Sequence, residues 1–397
     1  MAGESFSSST HPPLPPTTED IRFTSLRLLR SRRVGATTFH RLRAEHGSAR
    51  DALAALPDVA RAAGVSSYEI CPEGVIAAEL KAGARAGAVL LVHGFAGYPD
   101  ALADLADAPP VLWALGRLDL LNKPMISLVG ARNASSLGTR MAKALSRELG
   151  EEGHVVVSGL ARGIDAAAHL AALPSGTIAV QAGGVDVIYP AENADLADRI
   201  AKDGLRLSEQ PMGLQPMARH FPARNRIIAG LGRACVVVEA AAKSGSLITA
   251  RDAADLGREV MAVPGHPFDA RAAGCNMLIR DGATLIRRAA DVIEALGPLA
   301  HPGLEKLAGG DPVRPLPAPT SARASGTAET IRTKPIATDI AKLHSQILDR
   351  LGPTPVPEDQ LIRDLAATPA SLSPALTELE LSGEITRHSG GLLSRSN

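Results

Sequence analysis

The sequence predicts an α/β protein in which a parallel sheet lies between a helical N-terminal module and a winged-helix-like C-terminal module. Three observations lead to this fold class. Short β-branched runs alternate with amphipathic helical segments from about residue 84 to residue 297, a rhythm typical of buried parallel sheets. Residues 20–83 show helical periodicity alone. Residues 339–397 contain three short helical segments and end in a small hairpin.

The N-terminal module, residues 20–83, is predicted to form short helices, with a Val34–Gly35 turn between the first two. Its basic residues are Arg22, Arg27, Arg30, Arg32, Arg33, Arg41, Arg43 and Arg50. A helical hairpin with a glycine turn can hold a phosphate backbone. A solvated basic face on a packing module explains the same pattern, and the sequence leaves both interpretations open.

The predicted sheet is built from five short apolar runs, each followed by small residues and then a helical pattern. These runs are residues 125–129, 154–158, 177–182, 234–240 and 259–263. Ligands of open α/β sheets bind beyond the carboxyl ends of the strands. The residues directly after each run are therefore the first candidates for a functional site.

Small residues and cations collect at these strand ends. Glycines let a backbone approach an anion closely, arginine and lysine balance charge spread over several phosphates, and a helix N-terminus offers free N–H groups. The predicted binding residues are Gly130, Arg132 and Ser135 after the first run, Ser158, Gly159, Arg162 and Gly163 after the second, Arg219, Phe221, Arg224, Asn225 and Arg226 before the fourth, and Lys243, Ser244 and Gly245 after it.

Motifs that are missing from the strand ends limit which anions could bind there. They contain neither a G-x-G-x-x-G nor a G-K-[ST] motif, which argues against a nucleotide cofactor. No triad, carboxylate pair or metal cluster is evident. Asp165, Asp186 and Glu239 are predicted to be helix caps or supporting partners, and His169 to be packed or exposed. Phe221 either stacks on a base or packs into the core. This edge is predicted to hold a polyanion without cleaving it.

Composition sets further bounds. The chain has 397 residues, with 42 Lys and Arg against 42 Asp and Glu, so net charge argues neither for nor against nucleic acid. Its three cysteines are far apart, which argues against disulfides and structural zinc. Residues 1–19 are predicted to be a disordered tail and residues 298–338 a Pro/Ala/Gly-rich linker. We expect a cytoplasmic protein without metal, cofactor or membrane insertion.

Eight stretches of this chain, in order, closely resemble the DprA/Smf family of bacterial DNA-processing proteins. They are YPDALADLADAPPVLWALG (98–116), VGARNAS (129–135), SGLARGIDAAAH (158–169), IYPAEN (188–193), SEQP (208–211), FPARNRIIAGL (221–231), SGSLITA (244–250) and VPG (263–265). Two positions depart from the family's pattern, since Ala131 replaces a usual serine and Leu137 a common aromatic residue. Neither departure removes the glycine or the arginine of the first loop.

The resemblance implies an extended Rossmann-like central fold over residues 84–297, a sterile-alpha-motif-like N-terminal domain and a winged-helix domain over residues 339–397. It implies a homodimer that binds single-stranded DNA, protects it during natural transformation and helps to load the RecA recombinase where single-strand-binding protein is present. It implies no catalysis. By motif, the DNA contacts would include Arg132, the Ser158–Gly163 turn and the Arg219–Arg226 segment, with Lys243–Ser246 in addition.

Two other functions remain open at this stage. Nucleotide phosphoribohydrolases of the lysine-decarboxylase-like Rossmann group resemble this strand–loop layout, but their P-G-G-x-G-T-x-x-E loop has a glutamate that AAKSGSLITA (241–250) lacks. A sequence-specific regulator could act through the winged helix. Its recognition segment SLSPALTELELSGE (371–384) is acidic, however, which suits protein contact better than a phosphate-lined groove.

Overall fold

The computed structural model describes residues 17–65, 67–297, 337–351, 355–365, 367–388 and 391–396. The predicted tail and linker lie outside the described residues except at residues 17–19 and 337–338, where helices begin. Within the described part of the chain, no helix combines the length and the hydropathy of a membrane span. Cys71, Cys235 and Cys275 are buried and unpaired.

Four helices form the N-terminal domain: α1 (Thr18–Arg30), α2 (Ala36–His46), α3 (Ala49–Ala62) and α4 (Glu73–Arg85). Helix α1 begins where the Thr17 side chain accepts a hydrogen bond from the Asp20 amide, and the Asp20 carboxylate accepts one from the Thr17 amide. Leu28, Phe39 and Leu42 are fully buried between the helices. The chain turns between α1 and α2 at Arg32–Arg33, directly before the predicted Val34–Gly35 turn, and Gly35 is the N-cap residue of α2.

The central domain is one sheet of nine strands, six of whose eight neighbouring pairs are parallel. Its strands are β1 (Val89–Val92), β2 (Val111–Gly116), β3 (Met125–Val129), β4 (Val155–Ser158), β5 (Thr177–Val180), β6 (Leu205–Ser208), β7 (Ala234–Val237), β8 (Glu259–Ala262) and β9 (Thr284–Leu285). The spatial order is β1-β2-β6-β5-β4-β3-β7-β8-β9. The strand order reverses beside β3, where a ligand crevice opens in such sheets.

The five predicted runs correspond to β3, β4, β5, β7 and β8. The sequence prediction omitted β1, β2, β6 and β9. Strands β1 and β2 pair antiparallel with each other, and β2 pairs antiparallel with β6, which extends one edge of the sheet. This edge lies far from the reversal beside β3, so it does not move the predicted crevice.

Helices cover both faces of the sheet. They are α5 (Asp100–Ala103), α6 (Ser136–Glu151), α7 (Ile164–Ala172), α8 (Ala194–Asp203), α9 (His220–Leu231), α10 (Ser246–Asp255), α11 (Ala273–Arg280) and α12 (Ala289–Leu296). Strand β3 shows why both faces need cover, because Met125 and Val129 pack into one apolar cluster while Ile126 and Leu128 pack into the other. A strand buried on both sides reads as a continuous apolar run.

The C-terminal domain has the predicted winged-helix arrangement. It consists of α13 (Ala337–Arg350), β10 (Val356–Pro357), α14 (Glu358–Leu365), α15 (Pro369–Ser382), β11 (Ile385–His388) and β12 (Leu392–Arg395). The three strands form an antiparallel sheet in the order β10-β12-β11. The domain has an apolar core of its own, which includes Ile347, Leu361, Leu376 and Leu393.

The two terminal domains contact each other. Helix α15 packs against α3, and Leu381 belongs to the same apolar cluster as Phe39 and Leu42. Arg33 donates a hydrogen bond of 2.5 Å to the Leu381 carbonyl oxygen. Modules from opposite ends of the chain therefore share an interface.

Candidate nucleic-acid interface

One crevice at the carboxyl edge of the sheet brings together most of the predicted binding residues. Its volume is about 730 Å³. The predicted residues that line it are Gly130, Arg132, Phe221, Arg224, Asn225, Lys243, Ser244 and Gly245. Gly159 and Arg162 line a smaller adjoining pocket together with Tyr189. Loops separated by more than a hundred residues in sequence therefore form one continuous surface.

Three of the predicted cations at this edge have no carboxylate partner among the described residues, whereas Arg162 lies 3.5 Å from Glu192. Arg132, Arg219 and Lys243 are exposed. No carboxylate among the described residues lies within 4.0 Å of their charged nitrogens. Arg219 lines neither cavity, but it directly precedes α9, the helix that carries Phe221. Uncompensated positive charge at an exposed edge favours an external anion.

Two arginines lie close to the Phe221 ring. Its ring is half-buried, with the Arg132 guanidinium 5.4 Å and the Arg224 guanidinium 6.0 Å from the ring centroid. The Tyr189 ring lies 5.7 Å away and is itself 53% exposed. The cations can hold the Phe221 ring in place through cation–π contacts. Sequence reasoning did not select Tyr189, although it lies in the IYPAEN stretch.

Arg224 is oriented inward. Helix α9 begins at His220, so Arg224 lies one turn inside the helix, where it is 5% exposed. Its guanidinium donates to the carbonyl oxygens of Gly159 at 2.6 Å and Val180 at 2.8 Å. Burial lowers the pKa of Arg224 to about 10, against the opposing effect of nearby Asp165. Arg224 therefore supports the floor of the crevice.

The turn after β4 is built around this guanidinium. A Cβ on Gly159 would lie 1.8 Å from Arg224, so only glycine allows the approach. The Asp165 carboxylate accepts the Gly159 amide at 3.1 Å and the Ala161 amide at 3.3 Å. Burial raises the pKa of Asp165 while Arg224 lowers it. The Ser158 hydroxyl donates to the Leu128 carbonyl, which makes Ser158 part of the support.

His169 is packed inside the protein, which is one of the two environments, packed or exposed, that the sequence predicted for it. Burial lowers its pKa to about 3, so the ring is neutral. One ring nitrogen lies 2.7 Å from the Thr177 hydroxyl, and the other accepts the Leu160 amide at 3.3 Å. Leu160 has a φ of +55°, a conformation that needs support in a non-glycine residue. His169 thus stabilises the turn and is not available as a base.

Gly163 closes the same turn against the loop after β3. Its φ is +73°, and a Cβ there would lie 2.3 Å from the Ala131 carbonyl oxygen. The Ile164 amide donates to that oxygen at 3.1 Å. Gly163 therefore fixes the relative position of two binding loops and lines neither cavity.

Arg226 points away from the crevice. It is 9% exposed and pairs with Glu209 at 2.5 Å and Asp107 at 3.6 Å. Burial raises the pKa of Glu209, and Arg226 opposes that rise. The guanidinium predicted to contact DNA here is therefore part of an internal ion-pair group that holds α9.

The helix N-terminus after β3 is also occupied from within. The Glu239 carboxylate accepts the Ser135 amide at 2.9 Å and also accepts the Ser135 hydroxyl. A Cβ on Gly138 would lie 2.3 Å from that carboxyl group, so glycine makes room for it. The expectation that this helix start offers free donors is corrected: Glu239 fills the site. The prediction that Glu239 is a helix cap or a supporting partner is confirmed, since it holds Ser135, the N-cap residue of α6.

The central domain matches the model of the family described as DNA recombination-mediator protein A over residues 89–297. The chain belongs to this family. Residues 19–82 match the DprA-like N-terminal HHH domain, and residues 331–391 match the DprA winged helix domain. The family resemblance and the three-part fold predicted from the sequence are both confirmed. The chain is therefore a member of a family of DNA processing proteins that act in recombination.

Individual relatives agree with this assignment. The DNA processing protein DprA of Streptococcus pneumoniae is 48% identical over 198 residues, which cover 49% of this chain and 70% of the relative. Protein Smf of Synechocystis is 38% identical over 306 residues, or 74% of this chain and 76% of the relative. The X-ray structure of the S. pneumoniae protein is 39% identical, covers 59% of this chain and 85% of that chain, and has a TM-score of 0.53.

Proposed function

We propose that this recombination mediator binds single-stranded DNA in the crevice beside β3, β4 and β7. The observation that carries the proposal is the exposed, unpaired guanidinium of Arg132, 5.4 Å from the half-buried ring of Phe221, in a crevice that the exposed Lys243 also lines. Arg132, Arg219 and Lys243 would contact phosphates, and Phe221 would stack on a base. Stacking requires a base that is free of its duplex partner, which favours single strands. Arg162, Asn225, Ser244 and Gly245 remain predicted contacts.

We infer that the site binds DNA without cleaving it. Asp165 accepts two backbone amides, Glu239 caps α6, and His169 is neutral and buried, so each has a structural role. The phosphoribohydrolase alternative requires a glutamate that AAKSGSLITA lacks. Incubation with nucleoside monophosphates should release no free base. Release that scales with protein concentration would favour the enzyme.

Binding should be tested by titrating labelled oligo-dT and a duplex of equal length at several salt concentrations. We expect tighter binding to the single strand, and a steep fall in affinity with salt because phosphate contacts release counterions. Equal affinity for the duplex would contradict the stacking role of Phe221. Binding that is insensitive to salt would contradict the phosphate role of Arg132.

The family assignment supports a proposal for the wider role. We propose that the protein acts as a cytoplasmic homodimer, protects incoming strands in natural transformation and helps RecA to displace single-strand-binding protein. Strand-exchange assays on coated DNA should show stimulation by the purified protein. Light scattering should show a dimer at micromolar concentration. A monomer, or an absence of stimulation, would limit the function to strand binding.

A further inference from the structure

Helix α15 lacks the charge of a DNA-reading helix. It holds the position that enters the major groove in winged-helix readers, where cations must balance the flanking phosphates. The segment Pro369–Ser382 contains no lysine or arginine and carries Glu378 and Glu380. Glu378 lies 3.1 Å from His344, and Glu380 lies 3.5 Å from Arg387. This chemistry fits a basic protein surface better than a groove.

The carboxyl end of α15 meets a guanidinium of the N-terminal domain. Arg33 donates to the Leu381 carbonyl oxygen, one of the last carbonyls of the helix. Such carbonyls lack partners within a helix and form the negative end of its dipole, so a cation there is stabilising. The contact caps α15 from a residue 348 positions away in sequence.

The two residues at this contact, Arg33 and Gly383, both have a left-handed backbone conformation. Arg33 has a φ of +60°, and Gly383, the first residue after α15, has a φ of +78°. A Cβ on Gly383 would lie 2.3 Å from a terminal nitrogen of Arg33. The Arg33 guanidinium thus lies where the Cβ of any residue other than glycine at position 383 would be.

Further contacts surround an apolar anchor. Leu381 is 1% exposed and packs with Leu28, Phe39 and Leu42 of the N-terminal domain rather than with the core of its own domain. The Thr38 hydroxyl donates to Glu380 at 3.0 Å. A buried apolar centre with a polar rim is the usual anatomy of a protein interface.

Arg41 belongs to the same rim. It donates to the Ser373 carbonyl oxygen in the first half of α15. Burial lowers the pKa of Arg41, which means that docking withdraws this cation from water. Arg33 and Arg41 contact α15 at points about two turns apart, so the contact fixes the orientation of α15 as well as its position.

We propose that the winged-helix domain is a docking module for the N-terminal helical domain of the same chain, and that duplex DNA is not the partner of α15. The docking surface consists of Arg33, Thr38 and Arg41 with the apolar cluster beneath them. It includes the end of the α1–α2 turn, so docking also covers the part of the N-terminal domain that could have held a phosphate backbone. The proposal is independent of strand binding in the crevice.

The test uses the full chain with a protease site inserted between residues 298 and 336. After cleavage, the two pieces of the wild type should elute together in size-exclusion chromatography, because the interface holds them without the covalent link. Arg33→Glu places a carboxylate at the negative end of α15 and should weaken the association at least tenfold. Arg32→Glu is the matched control: Arg32 is the exposed neighbour and its side chain does not bond α15, so co-elution should persist.

A second variant approaches from the other side of the interface. Leu381→Asp removes the anchor without touching the core of the winged-helix domain, and should also separate the pieces. Retention of the circular dichroism spectrum and of oligo-dT binding would show that the rest of the protein is folded. Co-elution that survives both Arg33→Glu and Leu381→Asp, or wild-type pieces that separate on cleavage, would overturn the proposal.

Two remaining outcomes identify a different partner. If uncleaved Arg33→Glu gains salt-dependent duplex affinity of tenfold or more over the wild type, α15 is a masked DNA reader and the proposal is wrong. If Arg33→Glu converts a dimer into a monomer in light scattering, the partner is a second copy and the intrachain assignment is refuted. Unchanged duplex binding and unchanged assembly, with loss of co-elution, support the proposal.

Discussion

The arginines of the central crevice and those of the N-terminal domain have the same chemistry in opposite surroundings. Arg132 is exposed, and its guanidinium lies 5.4 Å from the centroid of the Phe221 ring. In the N-terminal domain, Arg27 pairs with Glu73 at 2.7 Å and Arg30 with Glu79 at 2.9 Å. The charge of a paired arginine is balanced by its carboxylate partner. The charge of an unpaired arginine can attract an external anion. The comparison separates the proposed binding surface from arginines that hold the helices in place.

The same comparison decides between the two interpretations of the basic N-terminal segment. Besides the ion pairs of α1, Arg43 donates to the His93 carbonyl oxygen at 2.7 Å, and Arg33 and Arg41 bond α15. These five arginines hold helices, a neighbouring loop and the winged-helix domain. The packing-module interpretation therefore explains more of the segment than the phosphate-binding one. The number of arginines in a segment says little until their partners are known.

The largest expected effect is on stability, and it tests whether the buried Arg224 holds the fold together. Arg224→Ala should lower the free energy of unfolding by about 2–6 kcal/mol, because it leaves the buried carbonyl oxygens of Gly159 and Val180 without their donor, at about 1–3 kcal/mol for each. Urea denaturation followed by circular dichroism measures this loss. Arg219→Ala, at an exposed position, should change stability by no more than about 0.5 kcal/mol. Equal stability for the two variants would mean that Arg224 is a surface cation.

The next largest effect is on DNA binding, and it tests the exposed arginine Arg132. Arg132→Ala should leave stability unchanged and weaken oligo-dT binding by about 1.5–3 kcal/mol, the worth of a hydrogen bond to a charged group. The slope of log K against log salt should fall in magnitude by about 0.7. Mixed-sequence oligonucleotides should lose as much affinity as oligo-dT, because a phosphate contact carries no base information.

Arg140→Ala is the control for this titration, since Arg140 is exposed on α6 and lines neither cavity. It should bind oligo-dT like the wild type. If Arg132→Ala also binds like the wild type, with the same salt slope, the loop after β3 is not a phosphate contact.

The fold could be predicted where local pattern and final environment agree. Strand β3 is apolar throughout because both of its faces are buried, and the sequence located its bounds without error. Strand β6, LRLS, was missed because Arg206 interrupts the apolar run. In the structure Arg206 is 3% exposed and donates to Gln181 and to the Val185 carbonyl oxygen, partners that no local pattern reveals.

The site could be predicted only as a set of loops. The rule that ligands lie beyond strand ends placed Arg132 and Lys243 on one surface. It could not reveal that α9 begins at His220, which turns Arg224 and Arg226 inward. Nor could it reveal that Glu239, 104 residues from Ser135, would fill the helix N-terminus. Orientation within a helix and long-range capping are set by tertiary packing.

A smaller effect separates stacking from charge within the crevice. Phe221→Ala should weaken oligo-dT binding by about 1–3 kcal/mol, the usual worth of one stacked base, with little change in salt slope. Phe221→Trp should retain binding, because it keeps an aromatic face. Phe95→Ala is the matched control, since Phe95 is 42% exposed and lies beside Arg43, 5.8 Å away, on another part of the surface. A loss of slope in Phe221→Ala would show that the ring acts through Arg132.

The smallest effect on DNA binding should come from the largest deletion. Removal of residues 337–397 takes away the winged-helix domain but none of the crevice residues, so oligo-dT affinity should change less than tenfold, or about 1.4 kcal/mol. Stability should respond more strongly than binding, because the deletion exposes the cluster around Leu28, Phe39 and Leu42 to water. Hydrogen exchange should therefore quicken in α1–α3 and stay unchanged in β3 and β4. A loss of affinity beyond tenfold would place part of the DNA site on the terminal domains. The contrast between unpaired and paired arginines would then no longer distinguish DNA-binding residues from residues that hold the fold together.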